Sequence, residues 1–489
     1  MIRILPILAI AVCAATASAS PNIPLDDPRY EQLASLYARD LIEPHLGGFR
    51  PLTEARMNEL IGGAGQPQKS WWFRPVGRAL VRLLGARDRE RPYASLRRPR
   101  DLIGLIAVSC EHAEGRPCGP GGGLLTELDS SVGYRDWISM TTRMRETVGS
   151  SSYGAGVSLD RAYLSATFGP VAVEVGRDVF ALGPSARTSL AWGDHAAPLD
   201  HVRVSTSQPF ELAPSLRASV VYILGRLRDP QTFSGNLVSI GRGQLDIGDH
   251  VEVGMMQLLQ LGGGGAASIG FGDFILEHVR RRDLSAGPTD SSNRRVGLDV
   301  AVRSPSFAGA RFYYQLVFED WRDRIHHAIR HDADHLLGVE LAAIGPHALI
   351  VELQHTGVRS HEHTARVTGF TNAGRVVGSP LGPDAQALYA GGRLALGHAT
   401  LAPWLELVRF SSDTYTFIVD GPISRATRGT SELRFRGGAR FRGPLTHDLS
   451  IEVDAWFEHV ERFAFEPGAR RENVGARLSA IWRPSFTLH

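Results

Sequence analysis

Residues 431–442 read SELRFRGGARFR, residues 449–458 read LSIEVDAWFE, and residues 473–482 read NVGARLSAIW. In the first run Leu433, Phe435, Gly437, Ala439 and Phe441 share one parity; Arg434, Arg436, Arg440 and Arg442 share the other. The second repeats the alternation with the opposite charge, setting Ile451, Val453, Ala455 and Phe457 against Glu452, Asp454, Trp456 and Glu458. The third sets Val474, Ala476, Leu478, Ala480 and Trp482 against Gly475, Arg477, Ser479 and Ile481. A period of two places one set of side chains on each face of a sheet. A soluble sandwich would alternate in the same way. Length, repetition and the N-terminus separate the two.

Outward from this stretch the same period runs back to about residue 124. Residues 160–168 and 171–176, joined by Gly169-Pro170, read as a hairpin. Further alternating runs fall at 216–224, 251–259, 268–276, 295–302, 311–318, 337–343, 348–354, 386–394 and 400–410. Short connections (Gly169-Pro170, Gly397-His398, Gly443-Pro444) alternate with long ones at 182–197, 355–384 and 411–428. Some 360 residues at about 20 per strand and connection give about 16–18 strands. Short turns at one end and long loops at the other predict an all-β, antiparallel transmembrane barrel. The arginine row must then face the lumen, because Arg on the lipid face costs about 2–4 kcal/mol near the midplane. Four such costs would exhaust a stability of about 5–15 kcal/mol. Glu452, Asp454 and Glu458 point the same way. A cross-strand ion ladder accounts for both rows without a ligand; a surface for an acidic polymer is the sharper alternative.

Residues 1–20 read as a secretory signal: Arg3, an apolar core at 4–15, and the small cleavage motif Ala17-Ser18-Ala19. Residues 21–120 read as a periplasmic helical bundle and linker, and 121–489 as the barrel. Three helices are expected. One spans 28–40 with Asp27 as its cap, one follows Thr53 through Leu60 and Ile61, and one covers 76–84 with Val76, Leu80, Leu83 and Leu84 on one side. Beyond Cys13, only Cys110 and Cys118 occur, a pair suited to one disulfide in an oxidising compartment.

The 489 residues are 43% hydrophobic with a formal charge of +2, which speaks against disorder and against a nucleic-acid partner. Gly, at 53 residues, is scattered as many tight turns require. His326, His327, His331, Asp332, Asp334 and His335 cluster in sequence, but their spacing does not make three or four ligands converge, so no metal is assigned. No G-x-S-x-G elbow occurs, and Gly262 to Gly265 lacks the Lys-Ser/Thr of a phosphate loop. Nothing points to catalysis or a cofactor.

Three stretches carry a resemblance. They are 23–30 (IPLDDPRY), the block from Val175-Gly176-Arg177-Asp178 through Gly183-Pro184 to 194–198 (DHAAP), and 369–374 (GFTNAG) with 378–384 (GSPLGPD). In order and spacing the chain resembles the capsule assembly Wzi family over nearly its whole mature length. The resemblance implies an 18-stranded outer-membrane barrel, a small periplasmic helical bundle, and a lectin-like role retaining capsular or related polysaccharide. It brings no catalytic residues. The ending Phe486-Thr487-Leu488-His489 departs from the usual terminal aromatic of such barrels. The expected polysaccharide contacts are Arg434, Arg436, Arg440 and Arg442 in the lumen, with Trp192, Asp194, His361, His363 and Asn372 in the long loops. Arginine suits glycan carboxylates and Trp the apolar face of a sugar. A porin-type channel is the alternative. Outer-membrane lipid is the expected surrounding.

Overall fold

The computed structural model describes residues 20–39, 41–42, 48–62, 71–86, 123–134, 138–149, 156–185, 187–266, 269–279, 292–319, 328–361, 363, 366–417 and 423–483. The signal segment, the cysteine pair, His326 and His327 lie outside these residues.

Eighteen antiparallel strands form the wall, each beside its neighbour in sequence. Phe210–Ala213 continues Leu199–Thr206 along the same partner, Leu216–Arg226. The first wall strand, Trp71–Ala86, pairs with Gly123–Tyr134 on one side and with the last strand, Arg470–Trp482, on the other, so the ladder returns to its start. Parity then sorts the side chains. Val474, Leu478 and Trp482 are exposed, whereas Ser479 and Ile481 are buried. Exposed apolar residues continue around the outside through Leu128, Met140, Leu164, Leu298, Leu353 and Leu405. So wide an exposed apolar belt would aggregate in water. No helix among the described residues is long and apolar enough to cross a membrane.

Two elements depart from the expectation. Residues 76–84 are not helical but belong to the Trp71–Ala86 strand. Their apolar spacing fits either period, and an isolated helix this short is marginal. Backbone ladders on both sides decide for the strand. The helical unit is therefore smaller than 21–120. Conversely, the alternation at 268–276 gives way to a helix, α3 (Phe271–Val279). A short apolar run does not discriminate strand from helix by itself. The wall strands on either side of it, Val251–Leu261 and Asn293–Ser304, pair with each other, and its His278 meets Ser239 Oγ at 2.7 Å.

Two short helices remain at the N-terminal end, α1 (Arg29–Ala38) and α2 (Glu54–Leu60). Asp27 Oδ1 accepts from Arg29 N at 2.9 Å, and Thr53 Oγ1 accepts from Arg56 N at 3.3 Å. Ile23, Leu33, Leu52, Met57 and Leu60 make their core. The unit sits at the short-turn end of the wall: Arg39 donates to the carbonyl of Gly345, in the turn between two wall strands, and Arg442 to that of Asp26.

Candidate functional site

The arginine row faces inward and is paired. Register sets Arg436 opposite Glu458, Arg440 opposite Asp454, and Arg442 opposite Glu452. Arg442 approaches Glu452 at 2.5 Å, Arg440 approaches Asp454 at 3.1 Å, and Arg434 bonds Glu432 at 2.5 Å. Arg477 from the last strand joins Glu452 at 3.0 Å and Asp454 at 2.9 Å. Arg436 takes its partner from the other neighbour, Glu406, an acceptor not singled out from sequence. The four arginines form the ion ladder that rigidifies the wall. Their geometry leaves Arg434, near the long-loop end and stacked on Phe410 at 4.9 Å, as the member closest to the outer mouth.

The long loops 179–198 and 357–384 turn into the lumen and pack against the inside of the wall. Phe180, Leu182, Leu190, Trp192, Phe370 and Val377 are buried and share a core with inward wall residues such as Ile223, Ile240 and Leu258. Trp192 stacks on Phe180 with centroids 4.9 Å apart. Gly193 N donates to Val377 O at 2.6 Å, joining one loop to the other. The wall supplies the remaining partners. Gln315 Oε1 accepts from Leu190 N at 3.0 Å, while Asp334 accepts from Gly357 N at 2.9 Å and Ser360 Oγ at 2.8 Å. Arg187 reaches Glu352 at 2.6 Å and lies 4.1 Å over the Tyr389 ring. From the opposite end Phe49 and Arg50 pair with Leu182 and Ala181, so the N-terminal unit and the plug meet within the barrel.

Most of the loop residues expected to contact a ligand sit inside this plug. Trp192, Asp194, His361 and Asn372 are buried. Asn372 is a staple: its Nδ2 donates to Ala197 O at 2.8 Å and its Oδ1 accepts from Arg228 N at 2.9 Å. His361 N donates to Glu319 at 2.5 Å, and its ring accepts from Arg295. That acceptance requires a neutral imidazole, and burial together with Arg295 pushes its pKa well down. His363 alone of the five is half-exposed. Trp192, His361 and Asn372 are enclosed almost completely and Asp194 nearly so, in places where they hold the loops. Asp334 and His335 also part company, the former on Arg295 inside, the latter on Tyr314 with Ile329 O at its other nitrogen. No group of three or more His, Cys, Asp or Glu among the described residues could hold a metal ion.

Above the plug the loop 227–236 interlocks with 366–373. Thr232 and Thr368 exchange a hydroxyl contact at 3.1 Å, and Gln231 Nε2 donates to Thr371 O at 2.7 Å. Arg228 stands beside them, its Nε without a hydrogen-bond partner. Burial and then the nearby Arg177 cation press its pKa down. Sequence alone offered no sign of Arg228, since it belongs to no alternating run.

Over residues 108–473 the sequence matches the family described as capsule assembly protein Wzi. The chain belongs to that family. Among solved structures, it is similar to the outer-membrane protein Wzi of Escherichia coli, described as a carbohydrate-binding β-barrel involved in group 1 capsule assembly. Identity is 14%, coverage is 96% of this chain and 100% of that one, and the TM-score is 0.68. OprD of Pseudomonas aeruginosa is 9% identical, with 87% and 96% covered and a TM-score of 0.49. No curated protein matches the chain. Two of the stretches that carry the Wzi-family resemblance, around 175–198 and 369–384, are the ones that build the plug.

Proposed function

We propose that this chain is a non-enzymatic outer-membrane barrel that binds capsular or related acidic polysaccharide at its loop end and holds it at the cell surface. Membership of the capsule assembly family carries the reading. The loop-plugged lumen favours holding a polymer over passing a solute. The short-turn end with α1 and α2 faces the periplasm, as short turns do in such barrels. The binding face is the upper surface of the interlocked loops 227–236 and 366–373, which carries Thr232, Thr368 and Arg228. An under-compensated arginine gains from a glycan carboxylate through charge-assisted bonds. Arg434 adds a second cation at the mouth. Trp192, Asp194, His361 and Asn372 fix the loops that present this face.

Purified protein should bind the acidic polysaccharide of its own cells, and Arg228→Ala combined with Arg434→Ala should weaken binding by roughly tenfold or more. Cells lacking the protein should release polysaccharide into the medium with secretion preserved. Unchanged attachment in the deletion, or binding that ignores both arginines, would reject the reading.

A further inference from the structure

Outside the lumen, on the outward face of the wall, a second constellation stands apart from the polysaccharide face. The outward side chains of the strands between Asp334–Ile344 and Leu449–Glu461 bound a concave apolar groove of about 700 Å³, lined by Leu337, Leu353, Leu388, Leu407 and Phe435. It lies at the long-loop end, because the strands that bound it run directly into the loops 357–384 and 412–430. Above it a polar cavity of about 630 Å³ opens between those loops, lined among others by Arg330, Arg409 and Arg428. His355, Gln386 and Arg409 line both, so the two spaces adjoin.

The charge in the upper cavity is unbalanced. Arg409 Nε donates to Ser431 Oγ at 3.0 Å, which orients the guanidinium without neutralising it. Among the described residues, no carboxylate lies in ion-pair range of Arg330, Arg409 or Arg428. Two carboxylates, Asp384 and Asp413, share the cavity with the three arginines, so a positive excess remains. Asp384 accepts from the Tyr415 hydroxyl at 3.1 Å, and Asp413 accepts from Gly429 N at 2.8 Å. The Nδ1 atom of His355 is buried and has no hydrogen-bond partner. Tyr314, His335 and His355 stack along the boundary, with the two imidazoles 5.9 Å apart, as amphipathic rings do at a membrane–water interface.

We infer that this outer-wall groove is a binding site for a phosphorylated lipid of the outer leaflet, its acyl chains along the leucine groove and its phosphate among Arg330, Arg409 and Arg428. An acidic polysaccharide satisfies only the cationic half and leaves the apolar groove unfilled. A free phosphate does the same. A zwitterionic lipid fills the groove, but its single phosphate already carries a neutralising ammonium and so gains less from three arginines. Only an anionic headgroup on hydrocarbon chains matches both halves, and three guanidiniums suit phosphate oxygens. The site would anchor the sector of the wall that supports loops 357–384 and 412–430, so bound lipid would stiffen these loops through Arg428 and the strand ends beneath them.

The test uses the full-length barrel in nanodiscs of phosphatidylcholine with or without bis-phosphorylated lipid A, read by native mass spectrometry and by thermal unfolding. Wild type should retain lipid A and unfold at a higher temperature with it. At about fivefold per arginine near a membrane surface, Arg330→Gln, Arg409→Gln and Arg428→Gln together should weaken retention roughly a hundredfold. Arg217→Gln, on a surface arginine at the short-turn end paired with Asp249 at 2.9 Å, is the control and should leave retention unchanged. The single exposed variant Arg428→Glu guards against a triple that does not fold, and should show a smaller loss. Equal retention of phosphatidylcholine, displacement of lipid A by inorganic phosphate or by acidic polysaccharide, or undiminished retention in the folded variants would overturn the assignment.

Discussion

At the scale of single residues, the plug is fitted closely enough that a methyl group decides its state. A Cβ at Gly378 would come within 2.2 Å of Leu190 O and 2.3 Å of His361 Cε1, and the first is backbone that cannot step aside. Gly378→Ala should therefore cost about 1–3 kcal/mol of loop docking, the range for overpacking, while the wall stays folded. Hydrogen exchange should quicken across 187–198 and 366–381 and remain slow in the strands; unchanged protection in the loops would refute this packing. The neighbouring His361 makes the same junction pH-sensitive. Its folded pKa lies below the ordinary histidine value of about 6.5 at which the freed ring titrates. Below about 6.5 the undocked loop takes up a proton that the docked one, faced by Arg295 and His195, resists. Docking stability is thus whole above that value and declines as pH falls toward the lowered folded pKa. Glu319 and Asp334 also face the site but are held by His361 N and Arg295. Loop exchange should be faster at about pH 5.5 than at about pH 7.5, after correction for intrinsic rates, and His361→Gln should flatten the difference. A pH response identical in the variant would exclude the ring as its source.

Among elements, the strands are where sequence and structure agree best, and the reason is physical. A wall strand has lipid on one side and polar lumen on the other, so its two parities carry chemically opposite sets. Leu433 to Arg442 and Ile451 to Glu458 state this outright, and even their cross-strand pairing can be read from charge. Glu452 is the hub: Arg442, Arg477 and Arg440 surround it at 2.5, 3.0 and 3.8 Å, and it is nearly buried. Glu452→Ala should cost about 1.5–3 kcal/mol, because it strips Arg442 of its carboxylate while Arg440 and Arg477 keep Asp454. By contrast Asp249→Ala, which removes an exposed partner of Arg217, should cost about 0–1 kcal/mol. Urea midpoints of the folded barrel in lipid measure both, and comparable losses would mean the ladder is no more than surface decoration. The pattern failed where period two and period 3.6 overlap. Val76, Leu80, Leu83 and Leu84 suit a helix, yet Gly77, Ala79, Val81, Leu83 and Gly85 suit a strand equally. What chose between them was the pairing with 123–134 and 470–482, distant segments whose registry no local window contains. Phe271–Val279 is the converse case, apolar enough for a strand but with no edge to join.

For the molecule as a whole, the loops were the illegible part. Their lengths announced the outer end of the barrel, but nothing in length says whether a loop stands up from the rim or folds down into the lumen. Composition held the missing sign. Leu190, Ala191 and Trp192, then Phe370, Val376, Val377 and Leu381, are more apolar than a solvated connection needs, and all are buried. Trp192, stacked on Phe180 inside the plug, is one of these anchors. With Phe49 of the N-terminal unit paired to Leu182 of the loop, packing runs through the lumen from the short-turn end to the long loops. Such a barrel should pass little current in a planar bilayer, far less than an open porin of similar strand number. Deleting 366–381 removes Phe370, Asn372 and Val377 from the plug core, together with the staple that holds Arg228, while leaving every wall ladder paired. Conductance should then rise several-fold, and polysaccharide binding should fall with it because the presenting loops lose their support. A deletion variant that stays folded and non-conducting would place the obstruction elsewhere in the lumen, and intact binding would detach recognition from the plug.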